Sequence, residues 1–206
     1  MPITYSIIGF TVLISFFCFK NAIATSRMMM NPYLVSTRNE YYRFLTSGFI
    51  HKDHMHLFMN MFSFYFFGRN IEIEFSRIFG GWGGTYFIIL YVMAIVVSDL
   101  PTYFKNRHNP GYNSLGASGG VAAIIFASII LNPLDDIYIY FFRAPGFIVG
   151  TLYLVFSFYM GRKSNDNINH DAHLYGALFG LLFCAVLHPS SLPAFVEQVS
   201  NWRYFN

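Results

Sequence analysis

The sequence predicts an all-α fold, a polytopic membrane bundle of six transmembrane helices forming one domain over residues 1–206. Three observations carry this. Only 11% of the residues are charged while 55% are hydrophobic and 20% aromatic. An ordinary soluble domain carries about 25% charged residues, so this composition does not cover a soluble surface. Apolar runs recur at 3–24, 54–68, 85–104, 115–131, 146–161 and 171–188, parted by short polar breaks. The runs lack the period-2 alternation of barrel strands, which leaves helices as the structures that satisfy their own backbone in lipid.

The first run holds about 20 apolar residues, enough to span. "AIA" near its end resembles a signal-peptidase site, but no basic region precedes the run, so a retained span is expected. Residues 25–53 carry Arg27, Arg38 and Arg43 among many aromatics and read as a long loop lying in the headgroup region. The second run is "HMHLFMNMFSFYFFG", the fourth opens through "GASGG", and the fifth is "GFIVGTLYLVFSFYMG". Within the tail, 189–206, the stretch "PAFVEQVSNWRYFN" from Pro193 on reads as a short interfacial helix. Cys18 and Cys184 sit inside apolar runs and read as small buried hydrophobes. A net charge of +3, scattered along the chain, gives no footprint for nucleic acid.

Parity organises the polar residues. Runs two, four and six are separated by single antiparallel runs, so they point the same way. Their N-terminal ends hold His54, His56 and Asn60, then Ser118, then His173. Three helices thus deliver polar groups to one leaflet, where such groups face a cavity or one another.

Ser118 falls in the first turn of its helix, where free backbone N–H groups and the dipole favour an anion. The amides of Ala117 and Ser118 are candidates to receive an oxyanion. The same serine also suits a small-residue packing face. His173, Gly176 and Gly180 share one helix face, and the glycines let a neighbour approach, with Gly116, Gly119 and Gly120 as the matching surface. That contact brings the His173 imidazole to Ser118 as a general base; an interhelical hydrogen bond is the plainer role. His170, one turn earlier, is a rival base nearer water. Asp171 points elsewhere, so a catalytic site here is a dyad. His56 and Asn60, at i and i+4, are paired donors suited to an acyl-transfer oxyanion hole. His51, His54 and His56 also allow a metal reading, against which stand the lack of HExxH and of a facing carboxylate.

Together these features resemble the rhomboid family of intramembrane serine proteases. The likeness rests on six runs, a long first loop, GASG opening the fourth run, "AHLYGALFG" opening the sixth, and His51, His56 and Asn60 in H-x4-H-x3-N. The resemblance implies Ser118 as nucleophile, His173 as base, and an oxyanion hole of His56, Asn60 and the Ser118 amide, with no metal and no cofactor. It gives His51 a structural place at the rim, sets Tyr42-Arg43 where the family has Trp-Arg, and makes Glu72 a recurring structural acid. Ala122 stands where the family often has an aromatic packed on the histidine, so either the histidine is held less firmly or another aromatic, such as Tyr175 or Phe126, substitutes. The implied partners are the lipid bilayer and membrane-protein substrates whose transmembrane segment is weakened as a helix, with no nucleic acid and no particular oligomeric state. The fifth run, with Gly146 and Gly150 near its start, is the implied lateral gate, and "KNRHNPGYNS" a water entrance.

The family's usual orientation puts the N-terminus in the cytoplasm and the site outside. Counting Lys and Arg favours the reverse, and an arginine-rich loop lying in the interface is a poor reporter of topology. The expected location is a multi-pass protein of the bacterial cell (inner) membrane. Two rivals remain: a non-catalytic rhomboid-like protein binding transmembrane helices, and a metal-dependent membrane protein using the histidines.

Overall fold

Helix caps written into the sequence divide the chain. The computed structural model describes residues 2–139, 141–163, 166 and 168–203, so Tyr204, Phe205 and Asn206 of the predicted tail lie outside the described residues. The six apolar runs all form helices: α1 (Ile3–Phe19), α5 (His54–Phe79), α6 (Gly83–Asn106), α7 (Ser118–Leu131), α8 (Gly146–Lys163) and α9 (His170–Leu187). Asp53 caps α5 by accepting from the His56 N–H at 2.8 Å, and Asn169 caps α9 by accepting from the Ala172 N–H at 3.1 Å. Each satisfies an N–H that a helix start otherwise leaves without a partner.

The long first loop is itself helical. It folds into α2 (Ala22–Met28), α3 (Pro32–Arg38), α4 (Arg43–Thr46) and a 3-10 turn over Ser47–Phe49. Asn21 and Asn31 cap α2 and α3, with Pro32 in the first turn of α3. The tail forms α10 (Ser191–Asn201). Among the described residues one feature departs from an all-α fold, a hairpin of β1 (Asp136–Ile139) and β2 (Phe142–Pro145) between α7 and α8. Asn132 and Pro133 end α7 there, and the β-branched and aromatic residues that follow suit a strand.

Two stretches are long and apolar enough to cross a membrane, His54–Asn106, which runs through α5 and α6, and His170–Leu187; Ile3–Phe19 and Ser118–Leu131 are shorter apolar helices. α7 is the centre of the packing, with most of its residues buried. Large side chains from α5 and α6, among them Phe64, Phe87 and Tyr91, fill the core beside it.

Contacts between elements give the directions. α7 and α9 are parallel, since Gly176 meets the Gly119 backbone and Gly180 the Ala123 backbone. α5 runs with them: His56 meets Gly116, and farther along Asn70 donates to Ser128 Oγ at 3.0 Å. α6 is antiparallel, with Ser98 against Gly119 and Thr102 donating to Asn169 at 2.9 Å. The N-terminal ends of α5, α7 and α9 therefore meet at one end of the bundle, as parity requires.

Candidate active site

At that end the chain before α7 is held from three sides. The Gly116 N–H donates to Ser47 O at 3.0 Å, and Met30 and Ser114 exchange two backbone hydrogen bonds of 2.9 and 3.0 Å. Gly116 has φ +127, where a side chain is strained, and a Cβ there would stand 2.6 Å from His56 Cε1 and 2.9 Å from Nε2. Glycine is thus required twice over, by the turn and by the imidazole lying against it. Ser118 follows as the first residue of α7, with Ala117 at the cap position.

His51 corrects one expectation about the oxyanion amides. Its Nδ1 lies 2.9 Å from Ser15 Oγ, which donates to Phe49 O at 3.1 Å, so the ring proton sits on Nδ1. Its Nε2 is then an acceptor and takes the Ala117 N–H at 3.4 Å. The Ala117 amide is spent on His51, and of the two amides only that of Ser118 stays available to a ligand. Burial first and the nearby His56 second push the His51 imidazole down to about 3, so it is neutral in this role.

The other predicted residues separate cleanly. His56 Nδ1 accepts from the Lys52 N–H at 3.5 Å, which leaves Nε2 as its donor edge beside Gly116. Asn60 is buried and spends one amide hydrogen on His56 O at 2.9 Å, keeping the second. His54 packs instead on Phe19 and Phe16, with ring centroids at 4.5 and 5.5 Å. The His51 and His56 rings meet edge-on at 5.0 Å while His54 packs away from both, and among the described residues no group of three metal-ligating side chains is assembled.

His173 lies at the start of α9, one residue after Ala172, whose carbonyl oxygen a Cβ on Gly119 would approach to 3.3 Å. Ser118 and His173 are thus adjacent to the same glycine-mediated contact, and among the described residues no hydrogen bond joins them. His170, the rival base, has Nε2 held by Asp166 at 3.0 Å. Asp171 is turned to Lys105 at 3.2 Å.

Two groups escaped the sequence reading. Asp99 of α6 is buried, accepts from Ser47 Oγ at 3.4 Å and from Asn169 Nδ2 at 3.3 Å, and so links the loop behind Gly116 to the cap of α9. Ser98, Asp99, Gly116, Ser118, Gly119 and Asn169 line a cavity of about 20 Å³, room for a single water molecule. A carboxylate in the apolar run "AIVVSDL" was the available signal, since such a group in a membrane segment is rarely idle. The second is Tyr153 of α8, which stacks on His173 at 6.4 Å. The expected substitutes do not: Tyr175 is 43% exposed, and Phe126 packs on Tyr153.

A family model for the rhomboid domain matches residues 38–190. The chain belongs to the rhomboid family. Among curated rhomboid relatives, the mitochondrial RHOMBOID-like protein 12 of Arabidopsis thaliana is 30% identical over 171 residues, 75% of this chain and 50% of that protein. The chloroplastic Rhomboid-like protein 11 of the same plant is 28% identical over 177 residues, 78% of this chain and 58% of that protein. The chain spans about half the length of the curated relatives it matches. Both relatives are organellar by name, which overturns the expectation of a bacterial cell membrane.

Rhomboid positions outside the site have plain structural work. Glu72 accepts from the Ile3 and Thr4 N–H groups at 2.6 and 3.0 Å and from Thr4 Oγ1 at 2.7 Å, capping α1 from α5. Arg43 is buried and donates to Ser26 O and Met29 O at 2.8 Å each and to Glu40 at 2.6 Å, pinning the helical loop. Tyr42 beside it is half-exposed.

Proposed function

We propose that this chain is an intramembrane serine endopeptidase that crosses the membrane six times, through α1, α5, α6, α7, α8 and α9. Ser118 is the nucleophile, His173 the general base, and His56 Nε2, the free Asn60 amide hydrogen and the Ser118 N–H form the oxyanion hole. The observation that carries this reading is the parallel seating of α7 on α9 through Gly119 and Gly176, which sets Ser118 and His173 at one end beside His56.

Ser118 Oγ attacks the scissile carbonyl carbon as His173 takes its proton. The carbonyl oxygen becomes an oxyanion facing the three donors. His173 returns the proton to the departing amine, and the acyl-enzyme is released by water activated by the same imidazole. The small cavity behind Ser118, with Asp99 and Ser98 in its wall, suits that water. Substrates are membrane proteins whose transmembrane or juxtamembrane segment leaves its helix readily, because the scissile carbonyl is otherwise engaged within the helix. The compartments of the two plant relatives support an organellar membrane as the setting.

The test is labelling of purified protein with a fluorophosphonate, paired with cleavage of a fluorescent transmembrane substrate. Label and product are expected from the wild-type chain and neither from Ser118→Ala, with His173→Ala losing both. Equal product from wild type and Ser118→Ala ends the protease reading; no product from any variant, with retained binding of the transmembrane segment, favours a helix-binding rhomboid.

A further inference from the structure

α8 and α9 run antiparallel, and two ring pairs join them in one register. Tyr153 lies on the His173 ring with centroids 6.4 Å apart and planes 24° from parallel. One turn away, Phe156 meets His170 edge-on at 5.8 Å and 80°. The i, i+3 spacing of the aromatics on α8 matches that of the histidines on α9, so the two pairs form or part together. His173 is further flanked by the edge of the His170 ring at 5.9 Å.

Ala122 explains why the aromatic comes from α8. It lies one turn past Ser118 on α7 and belongs to a small cluster with Phe126, Ile129 and Ala177, against which Tyr153 packs. Phe126 meets the Tyr153 ring at 5.6 Å and 47°. A methyl group at residue 122 takes up little of that cluster, and the Tyr153 ring fills it from the neighbouring helix.

We propose that Tyr153 is a positioning residue for His173, so that α8 carries part of the catalytic apparatus; this rests on the reading of His173 as general base. An imidazole on a single Cβ–Cγ bond swings freely unless something flat lies against its face, and proton transfer needs its nitrogen held toward Ser118 Oγ. Ring pairs at this separation favour such a fixed arrangement. On its other face α8 turns Leu152 and Val155 outward from the bundle, 65% and 63% exposed. Displacing α8 therefore parts both ring pairs and misaligns the base.

The test uses the full chain in detergent with the fluorescent transmembrane substrate. Tyr153→Leu is expected to lower kcat by about 10- to 100-fold, the scale of a small misplacement of a reacting group. KM should stay within about twofold, the pattern of a group acting only on the chemical step. Tyr153→Phe keeps the ring and should retain most activity, and adding Ala122→Tyr to Tyr153→Leu should recover part of the loss. Unchanged kcat in Tyr153→Leu, or Tyr153→Phe falling as far as Tyr153→Leu, overturns the proposal. So does a raised KM at constant kcat, which would make Tyr153 a substrate contact. A second readout needs no turnover: in Ser118→Ala protein, Tyr153→Leu should shift the His173 ring resonances and Tyr153→Phe should leave them nearly in place. If wild type takes no Ser118-dependent label, the protease reading fails and the proposal with it. If label is taken and the His173 resonances ignore Tyr153→Leu, the stacking inference alone fails.

Discussion

Gly176 of α9 rests directly on the Gly119 backbone of α7, and one turn later Gly180 rests on the backbone of Ala123. Backbone does not yield as a flexible side chain does. Any side chain at either glycine must push the two helices apart at the end where Ser118 and His173 lie. Gly176→Ala and Gly180→Ala are each expected to destabilise the fold by about 1–3 kcal/mol, the usual cost of overpacking. Gly176→Ala should also cost more activity than Gly180→Ala, because it lies nearer the site. Thermal unfolding and substrate cleavage in detergent check this; equal activity in the two variants would remove the link between the glycine seam and the site.

The proposed oxyanion donors can be removed one at a time. Asn60 spends one amide hydrogen on its own helix and keeps the other. Asn60→Ala is expected to lower kcat by about 10²- to 10³-fold, the size found for one such donor. The fluorophosphonate should still label Ser118 in this variant, though more slowly. Full activity in Asn60→Ala would remove the residue from the oxyanion hole.

Asp99 accepts from Ser47 and Asn169, which lie on the loop behind Gly116 and at the cap of α9. Asp99→Leu strands the Asn169 amide, at about 1–3 kcal/mol for a buried group left unpaired. Asp99→Asn keeps one oxygen for Asn169, and Ser47 can turn its hydroxyl to the Phe44 carbonyl, 3.4 Å away. The expected order of thermal stability is wild type, then Asp99→Asn, then Asp99→Leu. A stable Asp99→Leu chain would show that the link carries no weight.

His51 sets a pH dependence. Its pKa in the fold lies at about 3, below the ordinary imidazole value of 6.5, because burial disfavours the cation. Between those values the unfolded chain binds a proton that the folded chain refuses, so stability falls as pH drops from 6.5 toward 3. The slope from this one group reaches about 1.4 kcal/mol per pH unit. His51→Leu should be less stable near pH 7, since it abandons Ser15 and the Ala117 amide, and should lose less on acidification. Parallel stability curves for the two proteins across that window would refute the assignment.

Much of this was legible in the residues themselves. Apolar runs, Asx caps at Asp53 and Asn169, and the parity of runs two, four and six depend on local chemistry and chain order. They required Ser118, His173, His56 and Asn60 to gather at one end, and all four lie there. The helices within residues 25–53 were readable in part, through Asn31 and Pro32, but the aromatic composition pointed to a loop.

What the sequence alone determined is therefore the helices, their directions and the end at which the polar groups meet, because period, caps and alternation act along the chain. Only the tertiary structure decided which side chains touch across helices. It gave the Ala117 amide to His51, tied Asp99 to the cap of α9, and brought Tyr153 from α8 to His173 where Ala122 left space. Those pairings depend on how helices are rotated and how deep they sit, which is set by the summed packing of distant residues and by no local pattern.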